Sequence, residues 1–161
     1  MSSSSALSAG GFTLIELLVT VAILGVLAAA AFPLAELAVR RSAEMELRTA
    51  LRQLRGALDA YKRATDEGHI PRLTGESGYP PSLGVLVEGV TDAKSPRGAK
   101  LYFLRRLPRD PMADAQTPVA ETWAKRAYDS PPEAPREGRD VFDVRSMSPR
   151  TGLSGVPYSA W

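Results

Sequence analysis

Glu16 is the one charged side chain in residues 12–35, a run of 24 residues that is otherwise apolar or small. A carboxylate inside so apolar a segment costs roughly 2.5–3.5 kcal/mol near the centre of a bilayer, and less near its surface. The chemistry it calls for is neutralisation by a nearby cation. The other residues that could carry chemistry are few. With no cysteine there is no disulfide, thiolate nucleophile or Cys-based metal site. His69 is the only histidine, which excludes a His-rich metal site and any mechanism needing two imidazoles. Its neighbours Asp66, Glu67 and Gly68 place it at a helix end, as an exposed polar residue. Asp110 and Asp114 form the remaining carboxylate pair. Asp110 lies between Pro108 and Pro111, where an Asp caps a turn.

Those residues must be positioned by very different elements. Residues 12–35 are rich in Leu, Ile and Val and would span about 36 Å as a helix, enough to cross a bilayer core of about 30 Å. Gly25 and Ala28 to Ala31 form a small-residue side that a neighbouring helix can approach. Pro33 removes one backbone hydrogen bond and crowds the carbonyl of Ala29, so a kink near residues 29–33 is expected rather than a break. Residues 1–11, MSSSSALSAGG, are Ser-rich and end in Gly10-Gly11. They read as a leader. Unlike a secretory signal, the small residues precede the apolar run, so a cut there leaves that run on the mature chain.

Leu47, Leu51, Leu54, Leu58 and Tyr61 are spaced 4, 3, 4 and 3, a helical stripe over residues 36–69. Barely two heptads long, it is better suited to packing on the chain's own C-terminal part than to a coiled coil. Seven basic and six acidic residues fill the other faces of residues 36–69, with Glu44–Arg48 and Asp59–Arg63 expected as i, i+4 pairs on a solvated surface. Gly68 marks the stop.

Twelve of the 13 prolines fall from Pro71 onward, so residues 70–161 are expected to be loop-rich with short strands. Residues 83–90 begin as a short helix, residues 101–107 read as a strand, and residues 126–130 and 141–146 as a hairpin around the loop PPEAPREGRD. Residues 147–161 read as an irregular loop ending on an aromatic anchor. The fold class expected is α+β: a long N-terminal helix packed on a small antiparallel sheet. The domain order is 1–11 leader, 12–35 membrane and assembly helix, 36–69 amphipathic helix, and 70–161 β domain. The net charge of +2, with no basic block, speaks against a nucleic-acid partner.

Gly10-Gly11-Phe12-Thr13-Leu14-Ile15-Glu16-Leu17-Leu18-Val19 closely resembles the processing and assembly motif of type IV pilin-like proteins. The resemblance implies that a prepilin peptidase cuts between Gly11 and Phe12 and methylates the new amine of Phe12. It also implies that Glu16 meets the Phe12 amine of a neighbouring copy in a filament. Pro33 matches the family's kink proline. The segments Tyr79-Pro80-Pro81-Ser82-Leu83 and Leu107-Pro108-Arg109-Asp110-Pro111, the strand Val141-Phe142-Asp143-Val144-Arg145-Ser146, and the last residue Trp161 resemble the major pseudopilins of type II secretion systems.

By that resemblance the chain is a structural subunit with no catalytic residues. Its partners would be copies of itself, other pseudopilins, the prepilin peptidase, the inner-membrane secretion platform and lipid. It would cross the bacterial inner membrane once, N-terminus in the cytoplasm and C-terminal domain in the periplasm. Arg40-Arg41 beyond the span would favour the reverse orientation, but processing needs Gly11 on the cytoplasmic side and large domains cross regardless of flanking charge. Major pseudopilins commonly bind calcium at the C-terminal loop through aspartates. Here no Asp or Glu follows Asp143, and calcium needs six to eight oxygens that usually include carboxylates; no metal or other cofactor is expected. A minor pilin of a type IV pilus is the alternative, and a membrane-anchored periplasmic enzyme a remote one, with no HExxH or Gly-rich phosphate loop to support it.

Overall fold

The computed structural model describes residues 13–161. The expected leader, residues 1–11, and the Gly11–Phe12 bond lie outside the described residues. A single helix, α1, runs from Leu14 to Asp66. Two compact units divide between Arg40 and Arg41, and α1 contributes to both.

In the first unit the described side chains of α1 are exposed, apart from the half-buried Leu37. Leu17, Leu18, Val21, Leu24, Val26 and Leu27 are all more than half exposed among the described residues. The helix is unbroken across Pro33, which agrees with the expectation that this proline does not end it. Around Gly25 the surface is open; a methyl group placed there would touch nothing within 4 Å.

In the second unit α1 is the spine of the core. Leu47, Leu54 and Leu58 are fully buried, with Leu51 and Tyr61 nearly so, so the sequence stripe is a packing face and not a coiled-coil seam. It meets Ile70, Leu83, Leu86, Trp123, Val141, Val144 and Tyr158. The helix stops where the Gly68 backbone turns left-handed, φ 79°. The N–H of His69 then reaches the carbonyl of Ala64 at 2.9 Å and that of Gly68 reaches Thr65 at 3.0 Å. These two bonds satisfy carbonyls that the helix end leaves open.

The fold class is α+β, in a pilin-like arrangement of one long helix and small antiparallel sheets. The strands are shorter than expected and form two sheets rather than one. After a four-residue helix α2, Val85–Glu88, strand β1, Val90–Thr91, pairs with β2, Lys100–Leu101. Strand β3, Trp123–Arg126, pairs with β4, Asp143–Ser146, in antiparallel register with Trp123 opposite Ser146. A 3-10 turn, Val119–Glu121, leads into β3, and another, Tyr158–Ala160, lies near the C-terminal end of the chain.

Three expectations need correction. Residues 101–107 are not a strand beyond Leu101, because the N–H groups of Phe103 and Leu104 both turn to the carbonyl of Leu86, at 3.0 and 2.9 Å. That folds the segment over α2 and seats Phe103 against Tyr61, ring centres 5.3 Å apart. The hairpin is present, but its first strand lies earlier than residues 126–130, because Trp123 must enter the core and residues 127–130 turn back on themselves through Ser130 N–H to Ala127 O, 3.2 Å. Finally, the charged surface of α1 is not solvated throughout. Glu44 is 6% exposed and bonds the C-terminal loop instead of Arg48, while Lys62 pairs with Asp66 at 2.5 Å.

Candidate processing and assembly site

The described part of the N-terminal motif starts at Thr13, which stands just outside α1. Its hydroxyl oxygen accepts the backbone N–H of Glu16 at 3.3 Å, and its carbonyl accepts the N–H of Leu17 at 3.1 Å. Thr13 is therefore the N-cap of α1, holding one of the four N–H groups that a helix start leaves unpaired. The sequence signal for this was the spacing Thr13-x-x-Glu16, the pattern of a capping box, which the reading of the motif passed over. Glu16 sits in the first turn, where a negative side chain is favoured by the helix dipole.

Three features therefore coincide in the first unit: a fixed helix start at Leu14, a carboxylate one turn in, and exposed apolar side chains. An apolar surface this extended marks contact with lipid or with other protein. Among the described residues α1 is the helix long and apolar enough to cross a membrane, by length and composition. Gly11 and Phe12, the expected cleavage pair, lie outside the described residues, so the structure gives no geometry for them.

The other candidates are committed to holding the second unit together. Asp110 is fully buried. One carboxylate oxygen accepts the N–H of Met112 at 2.7 Å and the other accepts the Ser146 hydroxyl at 2.6 Å. It caps its turn as expected and also ties that turn to β4. Asp114 caps a separate turn, accepting the N–H of Gln116 at 2.9 Å. The two aspartates are not brought together as an acid–base pair. Around them, Trp123 Nε1 donates to the carbonyl of Pro108 at 2.9 Å, and Arg109 donates to Thr117 O at 2.7 Å and to Asp114 O. In the Tyr79-to-Leu83 segment, the carbonyl of Pro80 accepts Val141 N–H at 2.8 Å just ahead of β4.

His69 is half-buried rather than exposed. Its Nδ1 lies 2.9 Å from an Asp92 carboxylate oxygen, and its Nε2 faces Glu67 at 4.0 Å rather than a hydroxyl. Among the described residues no Ser-His-Asp arrangement is built on it. The hydrogen bond from His69, aided by the backbone N–H of Lys94, holds the Asp92 carboxyl below the ordinary aspartate range.

Sequence reasoning missed three side chains of α1 that bind the C-terminal segment. Glu44 accepts the N–H of Leu153 and the hydroxyl of Tyr158. Arg48 lies over the Trp161 ring, 4.4 Å from its centre. Arg55 bonds Asp143, Val144 and Trp161. Periodicity separates apolar from charged positions, but it cannot tell a charge facing water from one facing a loop more than a hundred residues away.

Residues 7–32 match the family model of the prokaryotic N-terminal methylation motif. The match contains Gly11, Phe12, Thr13 and Glu16 and ends one residue before Pro33. It makes the N-terminus of this chain type IV pilin-like. No curated protein and no solved structure matches the chain.

Proposed function

We propose that this chain is a structural pseudopilin of a type II secretion system. It is cut after Gly11, methylated on Phe12, and assembled through the first half of α1 into a periplasmic filament that drives protein export. The observation that carries this is the pairing of the N-terminal methylation motif with a helix whose first half, up to Ala35, has exposed apolar side chains and Glu16 as its one charge.

The mechanism follows from charge. Before cutting, Glu16 lies in the membrane near its surface, where the cost of a carboxylate is modest. Cutting after Gly11 creates a positive amine on Phe12. In a filament that amine meets Glu16 of the next copy, and the pair is tolerated in an apolar core where either charge alone is not. The open side at Gly25 lets helices approach closely. The second unit stays on the periplasmic side, and its polar groups serve its own packing rather than catalysis. Prepilin peptidase, other pseudopilins and the inner-membrane platform are the partners this role requires.

Intact-mass analysis of the chain from membranes tests the processing step. The expected mass is that of residues 12–161 plus one methyl group, and replacing Gly11 by a bulky residue should leave the full-length mass. A mature mass from that variant contradicts the cleavage assignment. Deleting the gene separates the two systems: loss of exported proteins supports secretion, whereas loss of surface pili with normal export supports a minor pilin.

A further inference from the structure

We infer that the C-terminal loop, residues 147–161, is closed by the carboxylate of Glu44 and not by a calcium ion. The loop turns hydrogen-bond donors inward. Glu44 Oε1 accepts the backbone N–H of Leu153 at 2.7 Å and the Tyr158 hydroxyl at 2.9 Å. Glu44 is 6% exposed and Tyr158 is 1% exposed, so the bond between them is buried. Leu153 lies inside a tight turn, in which the N–H of Gly152 bonds Val156 O at 2.8 Å and Thr151 bridges Pro157, and Tyr158 follows that turn. One oxygen of α1 thus holds both the turn and the residue that follows it.

A calcium site has the opposite polarity. It turns six to eight oxygens inward, carboxylates among them. The carboxylates nearest in sequence have other partners. Asp143 Oδ1 is 2.8 Å from Arg55 Nε and accepts its own neighbour's N–H at Val144, and Oδ2 faces Arg126 at 3.7 Å. Asp140 accepts the Ser77 hydroxyl at 2.5 Å and Tyr128 N–H at 2.9 Å. Asp110 holds Ser146 and Met112.

Two hydroxyls at the start of the loop, those of Ser146 and Ser148, are similarly occupied. Ser146 donates to Asp110 and accepts Ser148 N–H at 3.1 Å, and Ser148 faces Arg150. The cations set around the loop, Arg48 over Trp161 and Arg55 on the Trp161 main-chain oxygen at 2.7 Å, would repel a divalent ion. The residues present therefore do not fit calcium; they fit a carboxylate, and Glu44 supplies it. This holds whether the chain serves a secretion filament or a pilus, because it concerns the second unit alone.

The test uses the full chain in detergent, with two readouts: Tm from tryptophan fluorescence, and tryptic cleavage after Arg150. Wild type is expected to show the same Tm in EGTA and in millimolar calcium. Glu44→Gln keeps the shape and removes the charge; it is expected to lower Tm by about 5 °C and to raise cleavage after Arg150 about fivefold in both buffers. Tyr158→Phe, which deletes one donor and leaves the ring, is expected to move both readouts in the same direction, and it carries the test if Glu44→Gln does not fold. A wild-type Tm that falls in EGTA and returns with calcium overturns the inference. So does a Glu44→Gln or Tyr158→Phe protein with wild-type Tm and wild-type protection of Arg150.

Discussion

Arg55 and Asp143 join the C-terminal part of α1 to the start of β4: Arg55 Nε donates to Asp143 Oδ1 at 2.8 Å. The same guanidinium reaches on through Nη2 to the carbonyl of Val144 at 3.1 Å and to the Trp161 main-chain oxygen at 2.7 Å. The planar guanidinium fork serves a carboxylate and two main-chain oxygens at once in a fixed geometry. Arg55→Lys keeps the charge and loses the fork. It is expected to destabilise the second unit by about 1 kcal/mol, discounted because the side chain is partly exposed. Urea denaturation followed by tryptophan fluorescence checks this; an unchanged midpoint would mean that the ion pair alone carries the contact.

Asp110 should be the most sensitive polar position. Asp110→Ala leaves the buried Ser146 hydroxyl and the part-buried Met112 N–H without their acceptor. Unsatisfied buried groups cost about 1–3 kcal/mol each. A loss of at least about 2 kcal/mol is expected in the same urea measurement, and Ser146→Ala should lose less, because Asp110 keeps its other bond. Equal, small losses from both would count against a structural role for this aspartate.

The link between His69 and Asp92 carries a pH dependence of known sign. Asp92 is held below the ordinary aspartate value, first by the hydrogen bond from His69 and then by Lys94 N–H. A depressed carboxyl favours the fold above its unfolded value, about 3.9, and that contribution fades as pH falls through its lower folded value. The contact should hold at neutral pH and loosen only in strong acid. An NMR titration of the Asp92 carboxyl should give a midpoint below the ordinary aspartate value, and His69→Ala should move it upward. A midpoint at or above the ordinary value in wild type would contradict the geometry.

Much of this architecture was legible in the chain because it rests on period and punctuation. The Leu47-to-Tyr61 stripe, the Gly68 stop and the proline boundary at Pro71 each follow from local backbone physics. The capping role of Asp110 did too, since an aspartate between two prolines has few alternatives. What could not be read were partners distant in sequence. Glu44 sits one helical turn from Arg48 and looks like an i, i+4 pair, yet its acceptors are satisfied by Leu153 and Tyr158, positions 109 and 114 residues on. Phe103 and Leu104 look like strand residues, yet a single carbonyl, that of Leu86, draws both out of the ladder. At the N-terminus, the motif around Glu16 was legible as chemistry, and the spacing Thr13-x-x-Glu16 also held the signal for the Thr13 cap that the structure shows.

The central claim is that Glu16 holds the filament together by pairing with the Phe12 amine of a neighbouring copy. Glu16→Gln preserves size and removes the charge. The variant should insert in the membrane, since a neutral amide costs less there than a carboxylate. It should be cut normally, since Gly11 and Phe12 are untouched. It should not assemble, because an amine left unpaired in an apolar core costs about 3–5 kcal/mol. Crosslinking in membranes, read as a ladder of multimers for wild type and for Glu16→Gln, measures this directly. The account predicts a ladder for wild type and processed monomers alone for the variant; equal ladders with equal export would contradict it.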